Sequence, residues 1–250
     1  TAGAVRQELA VHGIRTVSAE WYEEALIADG VREQALEETP LYARGEIYLQ
    51  SLSSMLPPIL LRPQPGENIL DMTAAPGGKT PELYALSGGK ALITACERDH
   101  IRCERLKFNL ERQGATRVNV LKQDALSLDD ALKFDKILLD APCTGTGTVS
   151  MAKGIRFSED YLARCMRLQA RLFDKALKLL KKGGVLLYST CSVLNEENGQ
   201  IIARAQRAGA EMIPVDLPAE IPRLPSPEGT ACICPDALYE GFFLSMFTIS

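Results

Sequence analysis

Short apolar runs alternate with amphipathic stretches along this chain, and the alternation is most regular between residues 68 and 209. Asn68-Ile-Leu-Asp-Met72 reads as a short buried strand, followed by a Gly-rich turn and a helix that starts near Lys79. Strand Ala91–Cys96, helix Asp99–Gln113 closed by Gly114, strand Arg117–Leu121 and strand Phe134–Leu139 continue the pattern. A long helix from about Glu159 to Lys181, N-capped by Ser158, stops at Gly183-Gly184 and feeds strand Val185–Tyr188. Asn195 then caps a further helix that ends at Gly209. Strands separated by helices predict an α/β fold with a doubly wound, Rossmann-like sheet, whose ligands bind beyond the carboxyl ends of the strands. Gln50–Leu61 reads as a helix leading into this domain in spite of Pro57-Pro58, and Pro214–Pro235, with six prolines, as an extended surface loop. The division expected is an acidic, mostly helical N-terminal segment over 1–45 and a main domain over 46–250.

Composition narrows the class. The chain has 250 residues, 46% hydrophobic and 24% charged, which fits a globular domain with a small appendage. Apolar stretches such as Gly184–Tyr188 are far short of the ~20 residues of a membrane span, and the N-terminus lacks a signal pattern, so a cytoplasmic protein with no membrane partner is expected. Seven cysteines without paired C-x-x-C spacing point to reduced thiols and no metal. Cys232-Ile-Cys234 reads as part of a structural loop, Cys96, Cys103 and Cys165 as packing, and Trp21-Tyr22 as a helix-packing pair. The net charge of −4 conceals two local biases. Residues 1–50 hold nine acids and four bases, whereas Met151–Lys182 holds nine bases and three acids. Taken alone the basic segment is a solvated helix face; the functional alternative is a phosphate-contacting wall.

The strand ends carry the chemistry. Asp71-Met-Thr-Ala-Ala-Pro-Gly-Gly-Lys-Thr80 joins a strand to a helix with small residues that admit a ligand close to the backbone. It is not a P-loop, because Thr73 stands where the first glycine belongs, and the dinucleotide G-x-G-x-x-G is absent. Glu97 ends the second strand, where an acid accepts hydrogen bonds from ribose hydroxyls. Asp124 follows the third, placed either to meet an adenine amino group or to cap its own loop. An adenosine ligand without phosphates satisfies all three points, which makes S-adenosylmethionine the expected cofactor and methyl transfer the expected reaction.

Asp140-Ala-Pro-Cys143 and Ser189-Thr-Cys-Ser192 close two strands that a doubly wound sheet makes neighbours, bringing Asp140, Cys143 and Cys191 around one pocket. Nitrogen and oxygen acceptors need no thiol for methylation, whereas carbon 5 of a pyrimidine is a poor nucleophile. A thiolate that adds to carbon 6 turns the ring into an enamine, provided an acid supplies a proton at ring nitrogen 3. Asp140 suits that task, and burial among apolar strand residues would help it hold the proton. The second thiol is a candidate for the release step.

Ala74-Ala-Pro-Gly-Gly-Lys-Thr80, Asp140-Ala-Pro-Cys143 and Thr190-Cys-Ser192 together resemble the RNA cytosine-5 methyltransferases of the Nol/Nop/Sun family. The resemblance covers roughly residues 45–250, including Tyr48-Leu-Gln-Ser-Leu-Ser-Ser54 and Glu240-Gly-Phe-Phe243. It implies a class I methyltransferase fold and methylation of carbon 5 of cytidine in structured RNA, either rRNA or tRNA. It also implies Cys191 as nucleophile, Cys143 as helper of product release, and Lys79 near the reacting groups with Asp140. The cofactor pocket it implies is lined by Ala74, Ala75, Pro76, Gly77, Gly78, Lys79, Thr80, Glu97, Arg102, Asp124 and Asp140. Two departures imply modest RNA affinity: family members commonly carry additional RNA-binding modules beside the core, and many end in a basic residue after the Gly-Phe-Phe strand, where this chain has Met246-Phe-Thr-Ile-Ser250; the short acidic N-terminal segment reads either as a remnant of the small domain that precedes the core in relatives or as a truncated one. The competing readings are a methyltransferase of the same fold acting on a nitrogen or small molecule, and a noncatalytic RNA-binding assembly factor.

Overall fold

A computed structural model of the chain describes residues 1–148 and 157–250. Its N-terminal part runs α1 (Ala2–Val11), β1 (Val17–Ala19), β2 (Tyr22–Ile27), α2 (Glu33–Glu37) and α3 (Pro40–Ala43), and α4 (Leu52–Leu61) leads into the sheet. The alternating core follows as β3 (Asn68–Asp71), α5 (Lys79–Leu86), β4 (Leu92–Cys96), α6 (His100–Arg112), β5 (Asn119–Leu121) and β6 (Phe134–Asp140). The remainder is α7 (Glu159–Leu179), β7 (Leu180–Thr190), α8 (Asn195–Arg207), β8 (Glu211–Ile213), β9 (Arg223–Leu224), β10 (Ala231–Ile233) and β11 (Phe242–Thr248).

The main sheet has the order β5-β4-β3-β6-β7-β11-β10-β9, with β8 also paired to β11. The five strands from β5 to β7 are parallel, and β11 runs antiparallel to β7. From β3 the chain winds outward to β4 and β5, then crosses back to β6 on the other side of β3, so the strand order reverses between β3 and β6. This doubly wound sheet is the expected class I methyltransferase arrangement. β6 and β7 are neighbours in register, with Asp140 opposite Ser189.

Apolar residues of the central strands alternate between two buried layers, as a period of two dictates. Ile137, Leu139, Leu186 and Tyr188 face a layer with Leu172 and Phe173 of α7 and Ile201 of α8. Leu138 and Leu187 face the opposite layer, with Leu52 and Leu56 of α4 and Leu83 of α5. In α7 the buried positions Cys165, Gln169, Leu172, Phe173, Ala176 and Leu179 recur at helical spacing, and Ser158 Oγ caps its start by accepting from Tyr161 N. Asp99 caps α6 in the same way.

Four expectations need correction. The N-terminal segment is not mostly helical, because Val17–Ile27 forms an antiparallel hairpin with Trp21-Tyr22 at its turn. Ala19 and Ala25 are small enough to bury that hairpin against the layer of α4 and α5, and Trp21 Nε1 donates to Tyr239 Oη at 2.8 Å. Asn195 does not cap α8: the cap residue is Leu194, and the Asn195 side chain lies along the helix beside Gly199. α7 passes into β7 at Leu180, ahead of the glycines, which sit where the strand register shifts. The Pro-rich stretch is no simple surface loop either, since β9 and β10 lie within it and Leu217, Ile221, Ala231, Cys232 and Ile233 are buried. Cys96, Cys103 and Cys165 are buried as expected. No helix among the described residues is long and apolar enough to cross a membrane.

Candidate active site

A cleft of about 230 Å³ opens beyond the carboxyl ends of β3 and β6, where the strand order reverses. Tyr48, Gln50 and Ser54 form one wall; Asp71, Thr73, Ala74, Ala75, Pro76, Gly78 and Lys79 form another; Asp140 and Glu240 complete it. Small residues keep it open. A Cβ on Gly78 would come within 3.0 Å of Gln50 Oε1 and of Tyr48 Cε1, so a larger residue would press on the facing wall. At the base, the buried Asp71 accepts from Thr80 Oγ1 at 2.7 Å. Burial pushes its carboxyl up to about 6, against the opposing pull of the Thr80 hydrogen bond and of Lys79.

Lys79, the first residue of α5, sends its ammonium back over the cleft. Nζ donates to Asp140 Oδ2 at 2.7 Å and to Ser54 Oγ at 2.8 Å, and lies 5.5 Å from the centre of the Phe242 ring. Burial alone would make this ammonium easier to deprotonate; Asp140 outweighs it, and the net shift is upward. Asp140 Oδ1 accepts from Ser189 Oγ at 2.8 Å, across the β6–β7 register pair. The expected apolar surroundings of Asp140 are therefore absent: its carboxyl is ion-paired and hydrogen-bonded.

The two thiols meet beside this pair. Cys143 Sγ and Cys191 Sγ are 3.2 Å apart, both unoxidised and both half-buried. Two thiolates at that distance would repel strongly, so at least one of the two sulfurs holds its proton. The hydrogen bond from Cys143 draws Cys191 below the ordinary thiol value, against the opposing effects of burial and Asp140 and with the help of Lys79. The same hydrogen bond, reinforced by burial, pushes Cys143 up. Either sulfur can donate across this contact, and of the two Cys191 is the one that more easily gives up its proton.

The loops that carry the thiols are pinned at a backbone crossing. Gly147 N donates to the Cys191 carbonyl at 3.0 Å, and Gly241 N donates to the Gly147 carbonyl at 2.8 Å. A Cβ on Gly147 would lie 1.9 Å from the Gly241 carbonyl oxygen, a distance no side chain allows.

The structure brings Cys191, Cys143, Asp140 and Lys79 together and sets Ala74, Ala75, Pro76 and Gly78 along the adjoining cleft. Other expected residues stand apart from it. Gly77 packs on Leu106 of α6, and Thr80 is committed to Asp71. Glu97, buried at the end of β4, accepts from Asp99 N at 2.8 Å and lies 3.6 Å from Arg102 Nε; Arg102 also donates to the Ala75 carbonyl at 2.7 Å. Asp124 caps the turn after β5 with one oxygen, accepting from Leu126 N at 3.0 Å, and faces Arg98 with the other at 3.6 Å. These residues continue the carboxyl edge of the sheet along β4 and β5. Sequence reasoning missed the roles of Ser54, Ser189, Gln169 and Glu197. Ser54 and Ser189 stand within or beside the motifs, but no local signal marks Gln169 or Glu197.

The donor set fits a cationic ligand without phosphates. Asp71 and Asp140 supply carboxyl groups, and the charge of Lys79 is taken up by Asp140. A sulfonium such as that of S-adenosylmethionine meets this description.

Comparison with known proteins places the chain in a family. A family model described as 16S rRNA methyltransferase RsmB/F matches residues 58–248. The 26S rRNA (cytosine-C(5))-methyltransferase nsun-1 of Caenorhabditis elegans is 38% identical over 188 residues, which are 72% of this chain and 28% of that protein. The tRNA (cytosine(49)-C(5))-methyltransferase of Pyrococcus abyssi is 38% identical over 183 residues, 71% of this chain and 58% of that protein. The structure of NSun6 from Pyrococcus horikoshii with SFG superposes with a TM-score of 0.78 at 32% identity, covering 85% of this chain and 55% of that one. The chain thus spans from 28% to 58% of the length of these curated relatives. With the matched stretch enclosing both cysteine motifs and the Ala74–Thr80 turn, the chain belongs to the RsmB/F family of S-adenosylmethionine-dependent RNA cytosine-C5 methyltransferases.

Proposed function

We propose that this protein methylates carbon 5 of cytidine in structured RNA, rRNA or tRNA, through a transient bond between Cys191 and the base. The observation that carries this reading is the pair of thiols 3.2 Å apart beside the Lys79–Asp140 ion pair. Methylation of nitrogen or oxygen has no use for such a pair. S-adenosylmethionine would be held by Ala74, Ala75, Pro76 and Gly78 of the cleft, with Glu97, Arg102 and Asp124 farther along the same sheet edge, and when bound would supply an electrophilic methyl group.

The residues of this chain do the rest. The Cys191 sulfur gives an electron pair to carbon 6, and the former double-bond pair shifts toward carbon 5 and ring nitrogen 3. Asp140, replenished by Lys79 at 2.7 Å, handles the proton at nitrogen 3 as charge develops there. Once carbon 5 carries the methyl group, a base takes its hydrogen as a proton and the C–H pair re-forms the carbon 5–carbon 6 double bond; the carbon 6–sulfur bond breaks with its pair going to Cys191, and the proton at nitrogen 3 returns to Asp140. Cys143 assists that release. The target base must leave its stack to reach the cleft.

For the flanking RNA, the wall expected from 151–182 is reduced to a stripe. Lys153 and Arg156 lie outside the described residues; Lys175 and Lys178 face Asp130, Lys181 pairs with Asp135, and Lys182 lies beyond the helix at the start of β7. Arg164, Arg167 and Arg171 remain on one exposed face of α7, without an acidic partner among the described residues. Tyr161, at the start of that face, donates to the Cys143 carbonyl at 3.3 Å. We take residues 46–250 as the catalytic domain, 1–45 as its appendage and the cytoplasm as the place of action.

Cys191→Ala should abolish turnover, and near-normal activity in it would exclude the assigned nucleophile. Cys143→Ala incubated with RNA should accumulate a denaturation-resistant adduct; absence of any adduct would remove its release role. Trapping on 5-fluorocytidine RNA separates this chemistry from nitrogen methylation, which leaves no adduct.

A further inference from the structure

Two consecutive residues of α8, Glu197 and Asn198, are buried at 0% and 3% exposure and touch no part of the cleft. Each ends in one of the two cysteine loops. Glu197 Oε1 accepts from Thr144 N at 3.1 Å and from Gln169 Nε2 at 2.7 Å, and its Oε2 accepts from Thr144 Oγ1. Gln169, itself fully buried in α7, also donates to the Pro142 carbonyl at 3.0 Å, and its Oε1 accepts from Gln200 Nε2 at 3.1 Å. The residues on both sides of Cys143 are therefore tied to Glu197, Thr144 directly and Pro142 through Gln169. Asn198 serves the other loop. Its Nδ2 donates to the Ser192 carbonyl at 2.9 Å, and its Oδ1 accepts from Thr190 Oγ1 at 2.8 Å, which fixes the residues on both sides of Cys191.

We infer that Glu197 and Asn198 are positioning residues that together set the separation of the two thiols, Glu197 by holding the Cys143 loop and Asn198 by holding the Cys191 turn. Counting donors shows why position 197 holds a carboxylate. Thr144 N and Gln169 Nε2 can only donate and Thr144 Oγ1 donates here as well, so a carboxylate gathers all three as charge-assisted hydrogen bonds. A glutamine of the same shape keeps one oxygen for Thr144 N and Gln169 Nε2 but turns an NH2 group toward Thr144 Oγ1, which must reverse to accept, so the charge-assisted bonds become neutral ones and the brace is weakened. The sequence neighbours then act on different steps, because the loops they hold carry different thiols.

The inference rests on Cys191 as nucleophile and Cys143 as release thiol, and its test separates the two. Glu197→Gln should behave as a partial Cys143→Ala: a denaturation-resistant RNA adduct builds up, kcat falls about tenfold or more, and KM for RNA moves little. Thr144→Val, a change in a half-exposed loop that leaves the core intact, should give the same accumulation more weakly. Asn198→Ala should instead slow formation of the adduct in single-turnover trapping on 5-fluorocytidine RNA, with no accumulation on ordinary RNA. A general loss of folding would lower all steps alike and leave no adduct, which would overturn the proposal, as would wild-type kinetics in both Glu197→Gln and Thr144→Val. If Cys191→Ala stays active, the functional reading itself falls. If Cys191→Ala is dead and Cys143→Ala traps RNA while Glu197→Gln and Thr144→Val do not, only the positioning role falls.

Discussion

A thiol that donates to a neighbouring sulfur eases that neighbour's loss of its own proton, so the contact with Cys143 lowers the cost of charge on Cys191. Lys79 adds to this from the side of the cleft, paired with Asp140 yet close enough to favour charge on Cys191. Replacing Lys79 by Met keeps the length of the side chain and removes the cation. Iodoacetamide alkylation of Cys191 at neutral pH should then slow several-fold in the variant, read by mass spectrometry of the free enzyme. Methyl transfer should fall by about tenfold or more as Asp140 loses its proton source. An unchanged alkylation rate would show that the ammonium does not reach the thiolate. Lys79, Asp140, Cys143 and Cys191 are legible in the sequence because each stands at a strand end or helix start that periodicity locates. Glu197 is not, since its contacts reach 53 residues back to Thr144 and 28 to Gln169, and a glutamate after Asn195-Glu196 at a helix start reads as ordinary first-turn charge.

At the scale of elements, α7 does two jobs with two faces. Its apolar stripe packs on the sheet, and its opposite face carries Arg164, Arg167 and Arg171. Changing these three arginines together to glutamine should raise KM for RNA and leave kcat close to wild type. The slope of log affinity against log salt should drop by roughly 1 for each phosphate that is no longer neutralised. Equal salt slopes would remove α7 from the RNA interface. The crossing of Gly147 over Gly241 gives a sharper outcome, because a methyl group at 147 has only the backbone of 241 to push. Gly147→Ala should displace the loop that donates to the Cys191 carbonyl and reduce kcat by about tenfold or more, on the scale of a misplaced reacting group. A crystal structure of that variant with the loop unmoved would refute the account. The parallel strands and long helices of the sheet follow from periodicity; the β1–β2 hairpin does not. Three-residue β1 is too short to show alternation, and what makes it a strand is the burial of Ala19 and Ala25 on distant α4 and α5.

The acidic segment 1–45 meets the rest of the chain along a second cleft, of about 410 Å³, lined by Glu24 from one side and by Glu46 and by Glu82 of α5 from the other. Glu82 is 9% exposed, its Oε1 has no partner among the described residues, and its Oε2 accepts only from Gln50 Nε2 at 3.4 Å. Burial pushes its carboxyl up to about 8, against the lowering pull of the Gln50 hydrogen bond and of Lys79. The ordinary value, 4.5, is that of the unfolded chain. Between these values the unfolded chain has lost the proton and the folded chain still holds it, so folding takes up a proton. Stability contributed by this site is accordingly greatest at low pH, declines as pH rises through the window, and levels off above about 8. Glu82→Gln keeps the hydrogen-bonding shape without a titrating group and should show no such decline. Its Tm should exceed that of the wild type by a margin that widens by several degrees from about pH 5 to about pH 8. Parallel Tm curves would mean that Glu82 is already solvated at this joint. A widening margin would locate a pH sensitivity of the fold at Glu82, where segment 1–45 packs on the rest of the chain.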